Sequence, residues 1–534
     1  EKINLDNLNS KDQRSTYELI AKNFSQTTFN LAEDKLLHLK LVRFSNQRHI
    51  LLLVIHHIIS DGWSNGNVLL KEICALYRAF SEGKSSPLLP LSIQYADFAE
   101  WQRTSLNGSH LDKKVSYWSK KLTGIPALLD LPLDYVRPTK NTFLGKTAYF
   151  NIDTAILQGL KDLGRPYNAS LFVVLLAAFS TLLYRYSRQE TITVGSPIAN
   201  RNTQELEGLI GFFVNTLVMR TDFTSNLTCI EIINQVRENF IESYPHQDLP
   251  FERLVEAIKP ERNSSFSPLF QTMFILQNQN EERVGLKIGD LRLNVLPLAQ
   301  ETSMFDITLK LEEQDSELLG ELEYNTDLFS ENTMNNFIAH FQNVLTSFIE
   351  NPQQSVSSIP LLKSQEIKKI VEDLNQTEEI YPECENICTL FEKHAKNTPD
   401  RTAIIFGQEQ ITYGELNLRA SQLASYLHQR GSGNEVLIGL CLDRSINLII
   451  GILGILKSGG AYIPIDPAYP LNRIEGMIDS AKIDLILTES SEASILSAKS
   501  ENLIQIDSDW GEIQSANTTN FLYTSPDQLI DRLA

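Results

Sequence analysis

The sequence predicts an α/β fold divided into several subdomains, and three observations lead to that prediction. The 534 residues are too many for a single hydrophobic core. Strand-like and helix-like segments alternate along the chain. A polar segment rich in Ser, Gln and Pro, residues 350–366, separates two such regions and is typical of a linker.

Composition narrows the classes of partner. Hydrophobic residues make up 42% and charged residues 21% of the chain, as in a globular protein. The formal net charge of -19 argues against nucleic acid or an anionic membrane surface as partner. The five cysteines are scattered, so we expect no disulfide framework and no zinc site. No signal peptide opens the chain, and we expect a cytoplasmic location.

The elements of the first hundred residues follow from periodicity. Residues 36–44 alternate apolar and polar side chains and predict a half-buried strand. Residues 49–57, HILLLVIHH, predict a fully buried strand. Apolar side chains at helical spacing predict a helix over 67–80, with Ser64 as its N-cap.

Later elements continue the pattern. Residues 95–103 and 171–187 predict helices, and residues 190–198 predict a strand. After the linker, a new α/β pattern opens near residue 388 and lasts to the end. The apolar stretch 446–456 is too short to span a bilayer.

One stretch carries chemistry: LLLVIHHIISDGWS, Leu51 to Ser64. Side chains alternate along a strand, so His56 and His57 are predicted to point to opposite faces. Asp61 and Gly62 predict a tight turn that leaves backbone N–H groups free. An imidazole beside such donors can accept a proton while the donors stabilise an oxyanion. Two structural histidines are the alternative, and a metal site would need at least three converging ligands.

Further segments join this stretch in a resemblance to condensation domains of nonribosomal peptide synthetases. HHIISDG resembles the HHxxxDG signature of that family, whose relatives include chloramphenicol-acetyltransferase-like acyltransferases. The other matching segments, in chain order, are YADFAEW (95–101), IGFFVNTLVMR (210–220, similar to IGxFVNT), HQDLPFE (246–252), SPLFQTMF (267–274), and FDITL with EYNTDLF (305–309 and 323–329).

The tail resembles the beginning of an adenylation domain. ITYGEL (411–416) and LKSGGAYIPIDPAYP (456–470) are similar to its first two core motifs. FLYTSPDQ (521–528) resembles the start of its phosphate loop, but Pro526 stands where glycine is needed. We therefore expect the phosphate loop to begin beyond residue 534, and a fragment that does not itself adenylate a substrate. The opening motifs of the condensation family are not found, so we expect the condensation domain to lack its start.

The resemblance implies a two-lobed chloramphenicol-acetyltransferase-like fold followed by a partial α/β adenylate-forming subdomain. It assigns residues 1–103 to the N-lobe, 104–350 to the C-lobe, 351–385 to a linker and 386–534 to the incomplete adenylation part. Upstream and downstream carrier domains are implied to bring 4′-phosphopantetheine-tethered substrates into a tunnel between the lobes. ATP and Mg²⁺ are needed only by a complete adenylation domain.

The implied reaction is attack of an aminoacyl amine on an acyl or peptidyl thioester. His57 is expected either to remove the amine proton or to orient the nucleophile. The Gly62 N–H is a candidate oxyanion donor, Asp61 is expected to hold the loop through a salt bridge, and His56 is assigned to structure. Weaker candidates are Asn215 and Thr216 as tunnel lining or local caps, and Asp248 either as a brace of a crossover between the lobes or as part of an ordinary turn.

Alternatives remain open from the sequence alone. His56 argues against a heterocyclising relative, which has Asp there, and the adenylation-like tail argues against an epimerising one. A stand-alone CoA-dependent acyltransferase and a non-catalytic carrier-docking domain are the two competing functions. The amino acids joined and the final peptide are not specified by the sequence.

Overall fold

The computed structural model describes residues 1–516 except 225, 262, 278–283, 289–290, 295, 297–300, 315–316, 380–385, 435 and 497–501. Cys384 and the segment 521–528 therefore lie outside the described residues. The chain divides into two compact units, Glu1–Leu374 and Asn375–Ala534.

The first unit opens with a small sheet covered on one face by a helix. Strand β1 pairs in parallel with β2, and β2 pairs antiparallel with β3. Ala21 and Phe24 of the helix pack on Val42 and Leu52 of the sheet. The elements are β1 (Lys2–Asn4), α1 (Ser10–Ser25), β2 (Leu37–Arg43) and β3 (His49–Ile55).

The prediction of a fully buried strand at 49–57 is wrong in two respects. Strand β3 ends at Ile55, and His57–Ile59 form a 3₁₀ turn. Leu51 and Leu53 are exposed by 50% and 38%, because α1 covers only the opposite face of the strand.

Three helices follow the 3₁₀ turn. The first starts with a π-helical stretch, Ser64–Leu69, and continues as an α-helix. Ser64 therefore lies inside the helix, and the prediction that it is the N-cap is wrong. The helices are α2 (Leu70–Ser81), α3 (Tyr95–Ser105) and α4 (Gly108–Lys121).

A six-stranded mixed sheet forms the centre of the first unit, with strand order β4-β11-β10-β7-β5-β6. A separate antiparallel hairpin pairs β8 with β9. The strands are β4 (Gly145–Ile152), β5 (Thr191–Ile198), β6 (Asn215–Asp222), β7 (Thr272–Gln277), β8 (Val284–Ile288), β9 (Leu291–Asn294), β10 (Ile307–Gln314) and β11 (Glu317–Asn325).

Helices pack on this sheet around one large apolar core. In α6, every side chain from Val173 to Leu183 is buried, which explains its uniformly apolar sequence. The helices are α5 (Thr154–Gly164), α6 (Leu171–Ser187), α7 (Gln204–Glu207), α8 (Cys229–Ser243), α9 (Phe251–Ile258), α10 (Glu331–Glu350) and α11 (Ser364–Val371).

No single helix in the described part of the chain has the length and apolar character to cross a membrane. One bent pair, Thr154–Tyr167 with Leu171–Ser187, meets the length and composition test jointly.

The beginning of the predicted linker packs against the first unit. Val356 and Ile359 are buried in the large core. Arg185 of α6 donates hydrogen bonds to the carbonyl oxygens of both residues, at 3.1 and 2.7 Å. The first unit accordingly extends to Leu374, beyond the boundary at 351 that the sequence suggested.

The second unit contains a four-stranded parallel sheet, ordered β15-β14-β16-β17, and a short hairpin of β12 and β13. Gly459 has a positive φ of 87° at the turn between α14 and β15, a conformation that favours glycine. The elements are α12 (Ile387–Asn397), β12 (Thr402–Phe406), β13 (Glu409–Thr412), α13 (Tyr413–Gln429), β14 (Leu437–Cys441), α14 (Ile446–Lys457), β15 (Ala461–Pro464), α15 (Leu471–Ala481), β16 (Leu485–Thr488), α16 (Ala493–Leu496), β17 (Leu503–Gln505) and α17 (Trp510–Ser515).

Candidate active site

The two histidines of the HHIISDG segment lie in different environments. His56 is half-buried; its ring meets that of Phe29 edge-on at 5.7 Å, and its Nδ1 accepts a hydrogen bond from the Ile58 N–H at 3.1 Å. His57 is exposed, and its ring meets that of Phe212 at 5.2 Å and 89°. The first histidine thus caps the 3₁₀ turn, whereas the second presents its imidazole at the surface of the site.

Asp61 is buried, with 2% of its surface exposed, and does not face solvent. Its Oδ1 accepts the N–H of Ser64 at 2.8 Å, which makes Asp61 the side-chain cap of the helix that follows. Its Oδ2 accepts the N–H groups of Phe213 and Val214 at 3.0 and 3.3 Å. One carboxylate therefore ties the HHIISDG segment to the distant segment 210–216.

Arg201 provides the charge partner of Asp61, at 3.3 Å between Nη2 and Oδ1. Both side chains are 2% exposed, so removal of either would leave an uncompensated buried charge. Arg201 also donates to the Ser64 hydroxyl at 2.7 Å and to the Leu209 carbonyl at 2.9 Å. Its guanidinium lies over the Phe213 ring at 4.0 Å.

Sequence reasoning missed Arg201. It follows β5 in the segment SPIANR, where an arginine shortly after a buried strand is the only available signal. The 140 positions that separate it from Asp61 mean that only the fold brings the pair together.

Gly62 begins a helix instead of the tight turn that the sequence suggests. It is exposed, it is not among the glycines with positive φ, and an added Cβ would meet no atom within 4 Å. Its N–H stands at the first turn of the helix capped by Asp61, where backbone donors point out of the helix end. Within the described part of the chain, that N–H makes no hydrogen bond.

The segment that contacts His57 is fixed by its neighbours. The Ser64 hydroxyl accepts from the Gly211 N–H at 3.2 Å, and Ser64 Oγ also lies 3.0 Å from the Gly211 carbonyl oxygen. The Tyr95 hydroxyl donates to the Phe212 carbonyl at 2.9 Å. Burial raises the pKa of the Tyr95 phenol and the Asp61 carboxylate adds to the shift, so the hydroxyl stays protonated. A Cβ on Gly211 would lie 2.2 Å from the Tyr95 ring, which explains the glycine.

Asn215 is buried and bonded entirely to backbone. Its amide nitrogen donates to the carbonyls of Gln247 and Leu249 at 2.6 and 2.7 Å, and its oxygen accepts the Phe251 N–H at 3.1 Å. Thr216 is half-buried in β6, opposite Pro197 of β5. The Asn215 side chain therefore holds residues 245–251, the crossover segment, against the start of β6. Its amide nitrogen and oxygen are both engaged in these hydrogen bonds, which leaves little capacity for substrate.

Asp248 lies in the same crossover. It pairs with Lys114 of α4 at 2.5 Å, and the Lys114 side chain is only 7% exposed. The Lys114 ammonium also donates to the Pro245 carbonyl at 3.0 Å. Beside this pair, the His246 ring stacks on Tyr117 at 4.0 Å and 8°. The contacts of Asp248 join the crossover to α4 and do not reach His57.

Two cavities lie away from the histidines. One of about 490 Å³ is lined by residues that include Trp63, Asn67 and Glu207, on another side of the helix that Asp61 caps. The other, of about 410 Å³, lies between the ends of α4 and α9. The lining of neither cavity includes His57. Among the described residues, no group of three or more His, Cys, Asp or Glu is placed to hold a metal ion.

The candidate site thus combines an exposed histidine, the N-terminus of the helix capped by Asp61 and a buried Asp–Arg pair, in a unit built on a six-stranded mixed sheet. The family model described as "Condensation domain" matches residues 1–371, and the model described as "AMP-binding enzyme" matches residues 391–529. The chain therefore belongs to the condensation-domain family and continues into an AMP-binding region. The predicted family and fold class are confirmed.

Relatives and solved structures agree with this assignment. A linear gramicidin synthase of Brevibacillus parabrevis is 41% identical over 97% of this chain, and the chain spans 10% of that relative. Malpinin synthetase of Mortierella alpina is 38% identical over 87% of the chain, which spans 6% of its length. The crystal structure of a holo four-domain nonribosomal peptide synthetase bound to AMP and glycine has a TM-score of 0.77 and 26% identity, covering 95% of this chain and 38% of that one.

Proposed function

We propose that the first unit catalyses amide formation between two carrier-bound thioesters. The acceptor amine attacks the donor thioester carbonyl, a C–N bond forms, the C–S bond breaks, and the amine proton ends on the released thiol. The observation that carries the proposal is the exposed imidazole of His57 beside a helix N-terminus fixed by buried Asp61. Membership of the condensation-domain family supports it.

His57 acts on the nucleophile. An α-amino group has a pKa near 8, so about nine-tenths of it is protonated at pH 7 and cannot attack. The imidazole either accepts a proton from the amine as it attacks or holds the amine in line with the carbonyl. General base catalysis is worth about 10²–10⁴-fold, and correct positioning alone can be worth as much.

The Gly62 N–H stabilises the oxyanion that develops on the thioester oxygen. A fixed backbone donor costs no reorganisation during the reaction, and loss of one such donor typically lowers kcat by about 10²–10³-fold. Asp61 acts through structure, because its two oxygens are bonded to the helix end, to Arg201 and to the segment 213–214. His56 keeps the 3₁₀ turn in shape, and Asn215, Thr216 and Asp248 are assigned to the supporting framework.

The substrates are an acyl or peptidyl group and an aminoacyl group, each tethered through 4′-phosphopantetheine on an upstream or a downstream carrier domain. The much longer synthetases among the relatives and the four-domain synthetase of similar structure support carriers as partners. ATP and Mg²⁺ serve adenylation and take no part in the condensation step. A cytoplasmic location remains a prediction from the sequence.

The experiment uses the full-length protein with two separate carrier proteins, a donor loaded with an acyl-aminoacyl group and an acceptor loaded with glycine. Intact-protein mass spectrometry should show the acceptor gaining the donor mass. Acetyl-CoA replaces the donor in a parallel reaction. Transfer only from acetyl-CoA would favour a stand-alone acyltransferase, and carrier binding without transfer would favour a docking domain.

A further inference from the structure

We propose that Phe212 is a positioning residue for His57 and limits the size of the acceptor side chain beside it. Phe212 occupies the variable position of the segment that resembles IGxFVNT, so the resemblance itself assigns it no role. The inference rests on the proposed function, because it needs His57 to act on the acceptor amine.

The first line of argument is the way His57 is held. Catalytic imidazoles are commonly oriented by a hydrogen bond from one ring nitrogen to a carboxylate or carbonyl. In the described part of the chain, neither ring nitrogen of His57 makes such a bond. The edge-to-face contact with Phe212, at 5.2 Å and 89°, is the side-chain interaction that restricts its rotation. Packing therefore does what a hydrogen bond does elsewhere.

The second line of argument is the rigidity of Phe212 itself. Its carbonyl accepts from Tyr95, the preceding residue is bonded to Ser64, and the following N–H donates to Asp61 at 3.0 Å. The backbone is thus fixed at three successive residues. The residue as a whole is 37% exposed, however, and its ring stands beside the imidazole of His57. Because its backbone is fixed, the Phe212 ring forms a rigid boundary of the space beside His57.

The position of the Phe212 ring beside His57 gives the ring a role in selecting the acceptor side chain. An amine that His57 deprotonates or orients must come within hydrogen-bond distance of the imidazole. The α-carbon is one bond from that amine nitrogen and the side chain begins two bonds from it, which brings the side chain into the space that the Phe212 ring borders. A smaller residue at 212 would admit larger acceptor side chains but would let the imidazole rotate.

The test compares Phe212→Tyr, Phe212→Leu and Phe212→Ala with wild type in the full-length protein. Single-turnover amide formation is measured with glycyl, leucyl and tryptophyl acceptor carriers, at a range of carrier concentrations. His57→Ala runs beside them, and Phe80→Leu, an exposed phenylalanine on α2, is the matched control. Thermal melts verify that each variant is folded.

We expect Phe212→Ala to lower the maximal rate with the glycyl carrier by about 10- to 100-fold, with the half-saturating carrier concentration unchanged. Phe212→Tyr should recover most of the rate and Phe212→Leu should not, since only the former keeps an aromatic ring. The ratio of tryptophyl to glycyl transfer should rise in Phe212→Ala. Phe80→Leu should match wild type.

Three results would overturn the inference. Wild-type rates and acceptor ratios in both the Leu and Ala variants would show that the ring does nothing for His57. An equal loss in all three variants, Tyr included, would indicate a structural role alone. Changes confined to the half-saturating concentration would indicate carrier binding. If His57→Ala itself kept wild-type activity, the proposed function would fail first, and the two failures are thereby distinguished.

Discussion

At the scale of single residues, the candidate site is organised by a buried carboxylate. Asp61 caps a helix, pairs with Arg201 and accepts two N–H groups of the segment 213–214. Gly62 follows Asp61 at the start of the helix that Asp61 caps, and His57 lies in the 3₁₀ turn just before it. Helix capping and charge pairing thus account for the buried position of Asp61 in HHIISDG.

Substitutions at Gly62 test the proposed oxyanion donor, because one of them removes the backbone N–H and the other keeps it. Proline at the first helical position lacks the N–H yet fits the helix, so Gly62→Pro should fold normally. We expect the maximal rate of amide formation to fall by about 10²–10³-fold. Gly62→Ala keeps the N–H and has space for its Cβ, so it should stay within about threefold of wild type. Similar rates for a folded Gly62→Pro variant would remove Gly62 from the mechanism.

The sequence was sufficient to single out His56, His57, Asp61 and Gly62, because those residues are adjacent and their chemistry is local. It was not sufficient to find Arg201 or Phe212, whose contacts are with residues far away in the chain. Those contacts depend on how the segment 201–213 packs against α3. The N-cap was also misassigned to Ser64, because Ser, Asp and Gly all favour helix starts and only the hydrogen bond from the Ser64 N–H identifies Asp61.

At the scale of elements, buried ion pairs join segments that are distant in sequence. Arg137 binds both oxygens of Asp306, just before β10, at 2.9 and 2.5 Å. The two side chains are 14% and 4% exposed. Burial raises the pKa of the Asp306 carboxyl, and the Arg137 hydrogen bonds oppose that shift.

We expect Asp306→Asn to lower the free energy of unfolding by about 3 kcal/mol, because it leaves Arg137 buried without its counter-charge. Urea unfolding followed by far-ultraviolet circular dichroism measures the change. The control is Glu256→Gln, which breaks an exposed pair with Arg253 and should cost no more than about 0.5 kcal/mol. Equal costs for the two variants would contradict a stabilising role for the buried pair.

The crossover 245–251 should be sensitive to acid. Burial lowers the pKa of His246, Lys114 lowers it further, and Asp248 opposes them; Tyr117 covers one face of the ring. The unfolded chain therefore binds a proton at a higher pH than the folded chain, and the folded state loses stability as pH falls below about 6.5.

His246→Gln should consequently flatten the decline of the melting temperature between about pH 7.5 and pH 5.5. Differential scanning calorimetry at several pH values provides the measurement. His110→Gln removes an exposed imidazole from α4 without touching the crossover and serves as the comparison. A decline in His246→Gln as steep as in wild type would show that other groups set the acid sensitivity.

At the scale of the whole molecule, two units of different architecture follow each other along the chain. The first is built on a mixed sheet and the second on a parallel sheet. Alternating strand and helix patterns predicted α/β structure for both. The composition of residues 350–366 suggested a linker, yet two apolar side chains in this polar stretch, Val356 and Ile359, insert into the core of the first unit. Arg185, 171 and 174 residues earlier, bonds to their carbonyl oxygens. Composition averages over a segment and does not detect such insertions.

The proposed function assigns amide formation to the first unit and ATP to adenylation, and this separation predicts that amide formation needs no ATP. Transfer from a thioester to an amine is driven by the thioester, so amide formation from preloaded carriers should proceed at the same rate with or without ATP and Mg²⁺. Single-turnover reactions in the presence of EDTA measure this directly. A requirement for ATP would place the second unit within the condensation step and contradict the proposed separation.

The central claim is that His57 acts on the acceptor amine, and one comparison tests it most directly. Wild type, His57→Ala and His56→Ala are mixed with donor-loaded and glycyl-loaded carriers, and the acceptor mass is followed over a single turnover. We predict that wild type extends the acceptor, that His57→Ala loses about 10²-fold or more in rate while still binding both carriers, and that His56→Ala loses activity only in proportion to its loss of stability. Wild-type rates in a folded His57→Ala variant would contradict the account.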